Sequence, residues 1–326
     1  MVDYGDQSTP ADDNSLPEVP ERRNWMHGDD SERKFNQMLK AMPNSRRLAY
    51  WTVRVAEEAG RWAEAEYKGG LVDGYVAVGY VDPELDEVSD KELGVIAYQF
   101  TDDVHPGHLI DLLEVDAIKV PIVRRAVRYE AHVSLRTSLR EGVAGCWAVG
   151  DQGDVDEGWL TAKHVVEDEG GQVIFGQQID LFERGSFVGS GLVIRAARRA
   201  IDVALVHAHA GRHAPWEPLS TTLGCFNLPV EFVKLSGKLA PAKIINVPTE
   251  SPHLMASAEW PQRFTMDPAG DDGDSGSLIR HTKSGAAVGI YVGQDILSTT
   301  SGSYKYFGVG VPIEQVQAVM RVRLFG

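Results

Sequence analysis

The sequence of 326 residues is poor in cysteine. Its two cysteines, Cys146 and Cys225, are too few for a disulfide framework, and their separation fits no zinc-binding motif. The two thiols could form a single bridge, but nothing in the sequence suggests export. We therefore expect two buried free thiols.

Positive charge is also scarce, with 32 Lys and Arg against 47 Asp and Glu and a formal net charge of -15 at pH 7. Nucleic acids and anionic lipid surfaces bind proteins largely through Lys and Arg, which replace counterions. We therefore expect neither a nucleic acid nor a membrane as a partner.

Long apolar runs are missing as well. No window approaches the ~18 apolar residues of a membrane span. The first twenty residues contain acids and prolines but no Lys, Arg or apolar core, so they do not resemble a secretory signal. We expect a soluble, intracellular protein of the cytoplasm.

What the sequence does contain divides into three parts. A hydrophobic fraction of 43% is enough for a buried core, and the length favours two domains. Residues 1–30 carry acids and prolines and predict a disordered acidic leader. Residues 31–134 predict a helical and small α+β segment, and residues 135–326 predict a second domain.

Periodicity gives the elements of the segment 31–134. Asn44 is a plausible N-cap for a long helix, whose apolar face would consist of Leu48, Trp51, Val55, Ala59 and Trp62. β-rich runs predict strands at 74–81, 93–100 and 117–123, and we expect a short helix at 108–115.

After residue 135 many short apolar runs are separated by Gly, Asp, Ser and Pro. Short strands at this spacing, without helices between them, predict a mainly β fold, either an antiparallel sandwich or a barrel. An amphipathic stretch at 312–322 predicts a closing helix.

The most specific motif is Gly-Asp-Ser-Gly, in which Ser275 lies between Gly273 and Gly276. A serine nucleophile needs a tight turn with small neighbours and backbone N–H groups that face a developing oxyanion. Gly273 can adopt positive φ and leaves its N–H unobstructed. The same four residues also occur in ordinary Gly-Asp turns, and a turn without a catalytic role stays an open alternative.

Two further residues fit the same chemistry. His164 follows the strand-like run Gly-Trp-Leu-Thr, which would hold a general base rigidly, and histidine titrates near neutral pH. Asp202 opens the apolar run Val-Ala-Leu-Val, where a buried carboxylate needs a partner. An imidazole would be such a partner, and a salt bridge to Arg198 or Arg199 is the alternative.

Together these motifs resemble those of trypsin-like serine proteases. LTAKHVV is similar to the family's histidine segment, DVALV to its aspartate strand and GDSGS to its serine loop. The order histidine, aspartate, serine is also that of chymotrypsin-type enzymes. The resemblance covers 135–326 and is closest to compact bacterial members, and residues 70–130 are more loosely similar to N-terminal extensions of bacterial trypsin-like peptidases.

The resemblance implies two antiparallel β-barrels and a serine endopeptidase that needs no cofactor. His164, Asp202 and Ser275 would form the catalytic triad, and the N–H groups of Gly273 and Ser275 the oxyanion hole.

The resemblance also places the base of the substrate pocket at Ala269, with Tyr291, Val292 and Gly293 in its wall. Ala269 supplies no carboxylate, so a preference for Lys or Arg lacks its usual basis. No activation site for a new N-terminus pairing with Asp274 is evident.

The partner predicted on this basis is a protein or peptide substrate, and a regulatory protein could bind through the segment 31–134. Two alternatives remain, a non-catalytic binding scaffold and an acyl hydrolase of esters that uses the same triad.

Three places in the sequence contain residue types that can ligate a metal ion. His207, His209 and His213 have a spacing that could ligate a metal, but they directly follow a predicted strand, so we expect loop histidines. Acidic clusters at 151–157 and 267–272 lack EF-hand spacing, and we expect solvated loops there.

Overall fold

The computed structural model describes residues 44–68, 74–116, 118–130, 134–136, 139–151, 157–168, 170–183, 186–197, 201–208, 218–221, 224–249 and 261–325. In chain order these form α1 (Asn44–Lys68), β1 (Gly74–Val81), β2 (Glu92–Phe100), β3 (His108–Val115), β4 (Ile118–Glu130), β5 (Ser134–Arg136), β6 (Leu139–Glu141), β7 (Cys146–Gly150), β8 (Glu157–Thr161), a 3₁₀ helix (Lys163–Val166), β9 (Gln178–Glu183), β10 (Ser186–Ala196), β11 (Ala204–Ala208), β12 (Pro229–Val233), β13 (Leu239–Ile244), β14 (Asn246–Pro248), β15 (Phe264–Asp267), β16 (Leu278–His281), β17 (Ala287–Ser298), β18 (Tyr304–Pro312), α2 (Ile313–Met320) and β19 (Val322–Phe325). The predicted leader at 1–30 lies outside the described residues. No helix among those described is long and apolar enough to cross a membrane.

Helix α1 follows the predicted periodicity. Trp51, Val55 and Ala59 are buried and lie on one face because they recur every four residues. This face packs against Val76 of β1 and Val95 of β2 in one apolar cluster. The helix is therefore held by its apolar face against the sheet.

Three of the strands predicted before residue 130 are present, as β1, β2 and β4. The predicted helix at 108–115 is wrong, because this stretch is strand β3, paired antiparallel with β4. Leu109 and Leu112 of β3 remain exposed, so this run does not bury a helical face. A short apolar run has no decisive period, and pairing with a neighbouring strand settles its conformation.

Six strands close a barrel in the C-terminal part of the chain. β17 pairs with β16, β16 with β12, β12 with β13, β13 with β15, β15 with β18, and β18 again with β17, all antiparallel. The rings of Phe232 and Tyr291 are buried and stack with centroids 4.9 Å apart. Closure leaves the barrel without a free edge along this ring.

A second antiparallel sheet has the strand order β19-β7-β8-β11-β10-β9. Helix α2, which lies within the predicted closing helix at 312–322, carries the chain back so that β19 pairs with β7. Buried residues of both sheets, among them Leu160, Leu205, Val292 and Val311, form one apolar cluster. The prediction of a mainly β, chymotrypsin-type double barrel is confirmed.

The strands that precede residue 130 extend the sheet of the C-terminal barrel. Val127–Glu130 at the end of β4 pairs with Gln294–Leu297 of β17, and β1 pairs with β14. The larger sheet therefore runs from the N-terminal strands into the barrel without a break. The predicted domain boundary at 134 stays a prediction.

Candidate active site

His164 and Asp202 are brought together at the ends of two paired strands. His164 lies in the 3₁₀ helix that follows β8, and Asp202 lies just before β11, which pairs with β8. The Nδ1 atom of His164 is 2.5 Å from Oδ2 of Asp202, and the backbone N–H of His164 donates to Oδ1 at 3.0 Å. Both side chains are buried. Asp202 thus fixes the orientation of the imidazole through two contacts.

The environment of Asp202 keeps its carboxylate ionised. Burial by itself would raise its pKa. The charge and hydrogen bonds of His164 outweigh burial, Arg263 adds a favourable charge, and the pKa falls to about 2. The partner predicted for this buried acid is therefore an imidazole, and the alternative partners Arg198 and Arg199 lie outside the described residues.

Ser275 lies in the turn between β15 and β16, beside the segment that carries His164. Gly273 and Gly276 have φ values of 90° and 97°, a region that favours glycine. A Cβ atom on Gly276 would lie 2.0 Å from the carbonyl oxygen of Val143 and 3.1 Å from the backbone nitrogen of Ala162. The backbone next to Ser275 is therefore packed against the backbone two residues before His164.

The carboxylate of Asp274 braces this turn. It accepts hydrogen bonds from the backbone N–H groups of Asp271 and Leu235, both at 2.8 Å. Asp274 is buried, and the N–H of Ser277 donates to its carbonyl oxygen at 3.2 Å. The conformation of the serine turn is thus fixed by the side chain that precedes the serine.

The groups proposed to do chemistry at this turn make few contacts. Among the described residues, the backbone N–H groups of Gly273 and Ser275 donate to no acceptor, and the Oγ atom of Ser275 has no hydrogen-bond partner. Ser275 is 0% exposed. The link from the serine hydroxyl to the imidazole is therefore not made in this conformation, and the hydroxyl is closed off from solvent.

The predicted pocket residues lie in different environments. Ala269 is half-buried, whereas Tyr291 and Gly293 are buried in β17. The hydroxyl of Tyr291 accepts a hydrogen bond from the N–H of Gly270 at 2.8 Å, and its ring packs inside the barrel against Phe232. The backbone of Tyr291 is also bonded within the fold, because its N–H donates to the carbonyl oxygen of Ser277 and its carbonyl oxygen accepts from the N–H of Gly276, both at 2.8 Å. The pocket itself stays a prediction.

One contact at the site was not predicted from the sequence. The hydroxyl of Tyr129, near the end of β4, is 3.0 Å from Oδ2 of Asp202 and 2.5 Å from the carbonyl oxygen of Val292. The guanidinium of Arg263 lies 4.3 Å above the Tyr129 ring. No motif in the sequence marks Tyr129, which is 73 positions from Asp202.

Other residues singled out in the sequence lie elsewhere. Nδ1 of His207 is 2.8 Å from the carbonyl oxygen of Glu157, while His209 and His213 lie outside the described residues. Within the described part of the chain, no group of three or more His, Cys, Asp or Glu residues is placed to hold a metal ion. Cys146 and Cys225 are free thiols, and Cys146 is buried as expected, whereas Cys225 is only half-buried.

The barrel and the second sheet give the chain a fold of the chymotrypsin type. No protein-family model and no curated protein matches its sequence. It is similar to solved bacterial serine proteases: Nocardiopsis protease (14% identity, TM-score 0.39, 60% of this chain and 97% of that chain), Thermobifida fusca protease A (13%, 0.39, 61% and 98%) and the Rv3671c protease of M. tuberculosis (16%, 0.35, 54% and 79%). These similarities are too low to assign a function, so the roles that follow rest on the contacts of this chain.

Proposed function

We propose that this chain is a serine endopeptidase in which His164, Asp202 and Ser275 form the catalytic triad. The contact of His164 Nδ1 with the ionised Asp202, 2.5 Å from atom to atom, carries the proposal. It fixes the imidazole tautomer with the proton on Nδ1, which leaves Nε2 as the basic nitrogen. A histidine held in this way is the general base that a serine nucleophile needs.

In the proposed reaction, Nε2 of His164 accepts the hydroxyl proton as Oγ of Ser275 attacks the carbonyl carbon of the peptide bond. The negative charge develops on the carbonyl oxygen, where the N–H groups of Gly273 and Ser275 would stabilise it. Loss of one such donor typically costs about 2.7–4 kcal/mol of barrier. The imidazolium then protonates the departing amine, and water hydrolyses the acyl-enzyme by the same steps.

The burial of Ser275 supports a restrained site. Because the residue is 0% exposed, the surrounding chain would have to move before a peptide bond reaches the hydroxyl. The proposal therefore includes a conformational step before acylation. Regulation through the segment 31–134 is part of this proposal. Ala269 at the pocket base gives no reason to expect selection of Lys or Arg.

Labelling with a small fluorophosphonate probe tests the nucleophile. Wild type is expected to label, whereas Ser275→Ala and His164→Ala are expected to lose labelling. Ser277→Ala is the matched control, because it removes a neighbouring hydroxyl that bonds to the carbonyl oxygen of Val233. Equal, weak labelling of wild type and Ser275→Ala would favour a binding scaffold.

Digestion of a peptide library distinguishes the reaction class. Cleavage of internal peptide bonds is expected, without a preference for Lys or Arg. Turnover of esters with no cleavage of any peptide would contradict the endopeptidase proposal and favour an acyl hydrolase.

A further inference from the structure

Strand β4 carries a tyrosine to the acid of the triad. The register of β4 against β17 pairs Tyr129 with Asp295, next to the segment that follows Tyr291. From there the Tyr129 hydroxyl reaches both the carbonyl oxygen of Val292, at 2.5 Å, and Oδ2 of Asp202, at 3.0 Å. A residue that precedes both barrels in the chain thus contacts the carboxylate that holds His164.

The Tyr129 hydroxyl is a proton donor at this position. Burial and the neighbouring charge of Asp202 raise the pKa of Tyr129 well above its ordinary value, so the phenol keeps its proton. The phenol has a single hydrogen, and the carboxylate and the carbonyl are both acceptors, so they share it in one three-centre hydrogen bond. Among the described residues, the other hydrogen bonds to the Asp202 carboxylate both come from His164, to Oδ1 from its N–H and to Oδ2 from Nδ1. Tyr129 therefore adds a contact to the same oxygen that binds the imidazole.

The ring of Tyr129 is held in place from several sides. The Arg263 guanidinium lies over it at 4.3 Å and also over Phe100 at 5.1 Å, and the rings of Phe100 and Tyr129 are 6.3 Å apart. The charge of Arg263 lowers the pKa of this tyrosine and that of Asp295 raises it. Strand pairing fixes the backbone of Tyr129 and stacking fixes its ring, so the hydroxyl has little freedom to leave Asp202.

We propose that Tyr129 is a positioning residue that orients Asp202, and through it the imidazole of His164. The inference rests on the proposed function, and it makes strand β4 a part of the active site. The hydroxyl ties Asp202, beside β11 of one barrel, to Val292, in β17 of the other. The two halves of the site are thereby held at a fixed distance.

The test is Tyr129→Phe in the full chain, which removes the hydroxyl and keeps the ring beneath Arg263. We expect the fluorophosphonate labelling rate to fall about tenfold to hundredfold, as for loss of a hydrogen bond to a charged group. Without this donor, the negative charge on Oδ2 of Asp202 stabilises the imidazolium form of His164 more strongly. The titration midpoint of His164, followed by NMR, should therefore move to higher pH, together with the acid limb of the labelling rate.

Tyr98→Phe is the matched control. It removes a buried tyrosine hydroxyl from β2 that bonds to Asn246 at 2.8 Å and does not contact the triad. It is expected to lower stability while leaving the labelling rate and the His164 titration as in wild type. A purely structural role for Tyr129 would give the same result as this control. Should Tyr129→Phe fail to fold, incorporation of 3-fluorotyrosine at position 129 tests the same point. It keeps the hydroxyl but makes it a stronger hydrogen-bond donor, which should lower the titration midpoint of His164.

The outcomes separate this inference from the proposed function. If wild type labels, and Tyr129→Phe has the same labelling rate, pH profile and His164 titration, the inference is overturned and the protease proposal stands. Absence of labelling in wild type would overturn the protease proposal. The His164 titration then decides the inference by itself, since a shift supports the contact and an unchanged midpoint refutes it.

Discussion

Substitution of Asp295 by asparagine should change how stability depends on pH. Asp295 is 0% exposed, and its Oδ2 atom accepts a hydrogen bond from the hydroxyl of Tyr75. Its Oδ1 atom has no hydrogen-bond partner among the described residues. Burial raises the pKa of this carboxyl from 3.8 to about 6, although the nearby Arg263 and the Tyr75 bond oppose the rise.

The direction in which stability changes with pH follows from the number of protons bound in the folded and unfolded states. Between pH 3.8 and about 6, the folded state keeps a proton on Asp295 that the unfolded state has released. The free energy of unfolding therefore falls as pH rises through this window. At ~1.4 kcal/mol per pH unit, the loss from this one group is about 3 kcal/mol at neutral pH. Asparagine carries no charge at any pH and escapes this loss.

Urea denaturation of wild type and Asp295→Asn at pH 4 to 7 measures the effect. The difference in the free energy of unfolding should move in favour of the variant by about 2 kcal/mol between the two ends. Glu314, whose pKa burial raises to about 7, is present in both proteins and cancels. The buried amide of the variant at the Oδ1 position adds a cost in stability that does not vary with pH. Only the pH dependence of the stability difference therefore tests the prediction. Asp103→Asn, at an exposed site, is the control, and parallel curves for wild type and Asp295→Asn would refute the reasoning.

Three further predictions concern the site and its support. Gly276→Ala should lower the free energy of unfolding by ~3 kcal/mol or more in urea denaturation, since the new Cβ would lie 2.0 Å from a backbone oxygen. Gly285→Ala is the control. Gly285 also has a positive φ but has open space around it, so its substitution should cost ~1–2 kcal/mol. Equal losses would contradict the close packing. A chain that starts at residue 135 should label more slowly than the full chain, because it lacks Tyr129 and leaves one edge of β17 unpaired along 294–297. Faster labelling would instead indicate autoinhibition by the removed part. Cys146, whose thiol pKa burial raises to about 12, should react with a disulfide reagent only on unfolding, and rapid reaction of the native protein at Cys146, with Cys225 replaced by serine, would contradict this.

The triad candidates could be predicted because each lies in a short pattern that determines its own local structure. A strand end places His164, an apolar run places Asp202 and two glycines shape the turn of Ser275. The structure adds the 2.5 Å contact between His164 and Asp202, which no spacing supplies. It also shows that the carboxylate of Asp274 accepts hydrogen bonds from the backbone N–H groups of Asp271 and Leu235.

Tyr129 could not be predicted because the sequence of β4 around it lacks the apolar pattern of a strand. The apolar pattern of β4 stops at residue 123, and Arg124 and Arg125 follow. Arg125 nevertheless stays in the strand and is buried, because Asp86 binds its guanidinium at 2.6 and 2.7 Å. That partner is 39 positions away, and only the folded chain brings it close. A distant ion pair thus extends the strand to the tyrosine.

The pairing of β4 with β17 also bears on when the site can form during synthesis. Tyr129 and Val292 are 163 positions apart. At ~5–20 residues per second, translation of that interval takes about 10–30 s, during which β4 has emerged and its partner strand has not. Contacts over such separations form late in folding. The Tyr129 hydroxyl would therefore reach its place between Val292 and Asp202 only once nearly all of the described chain has been made, so that Asp202 in a nascent chain lacks this contact.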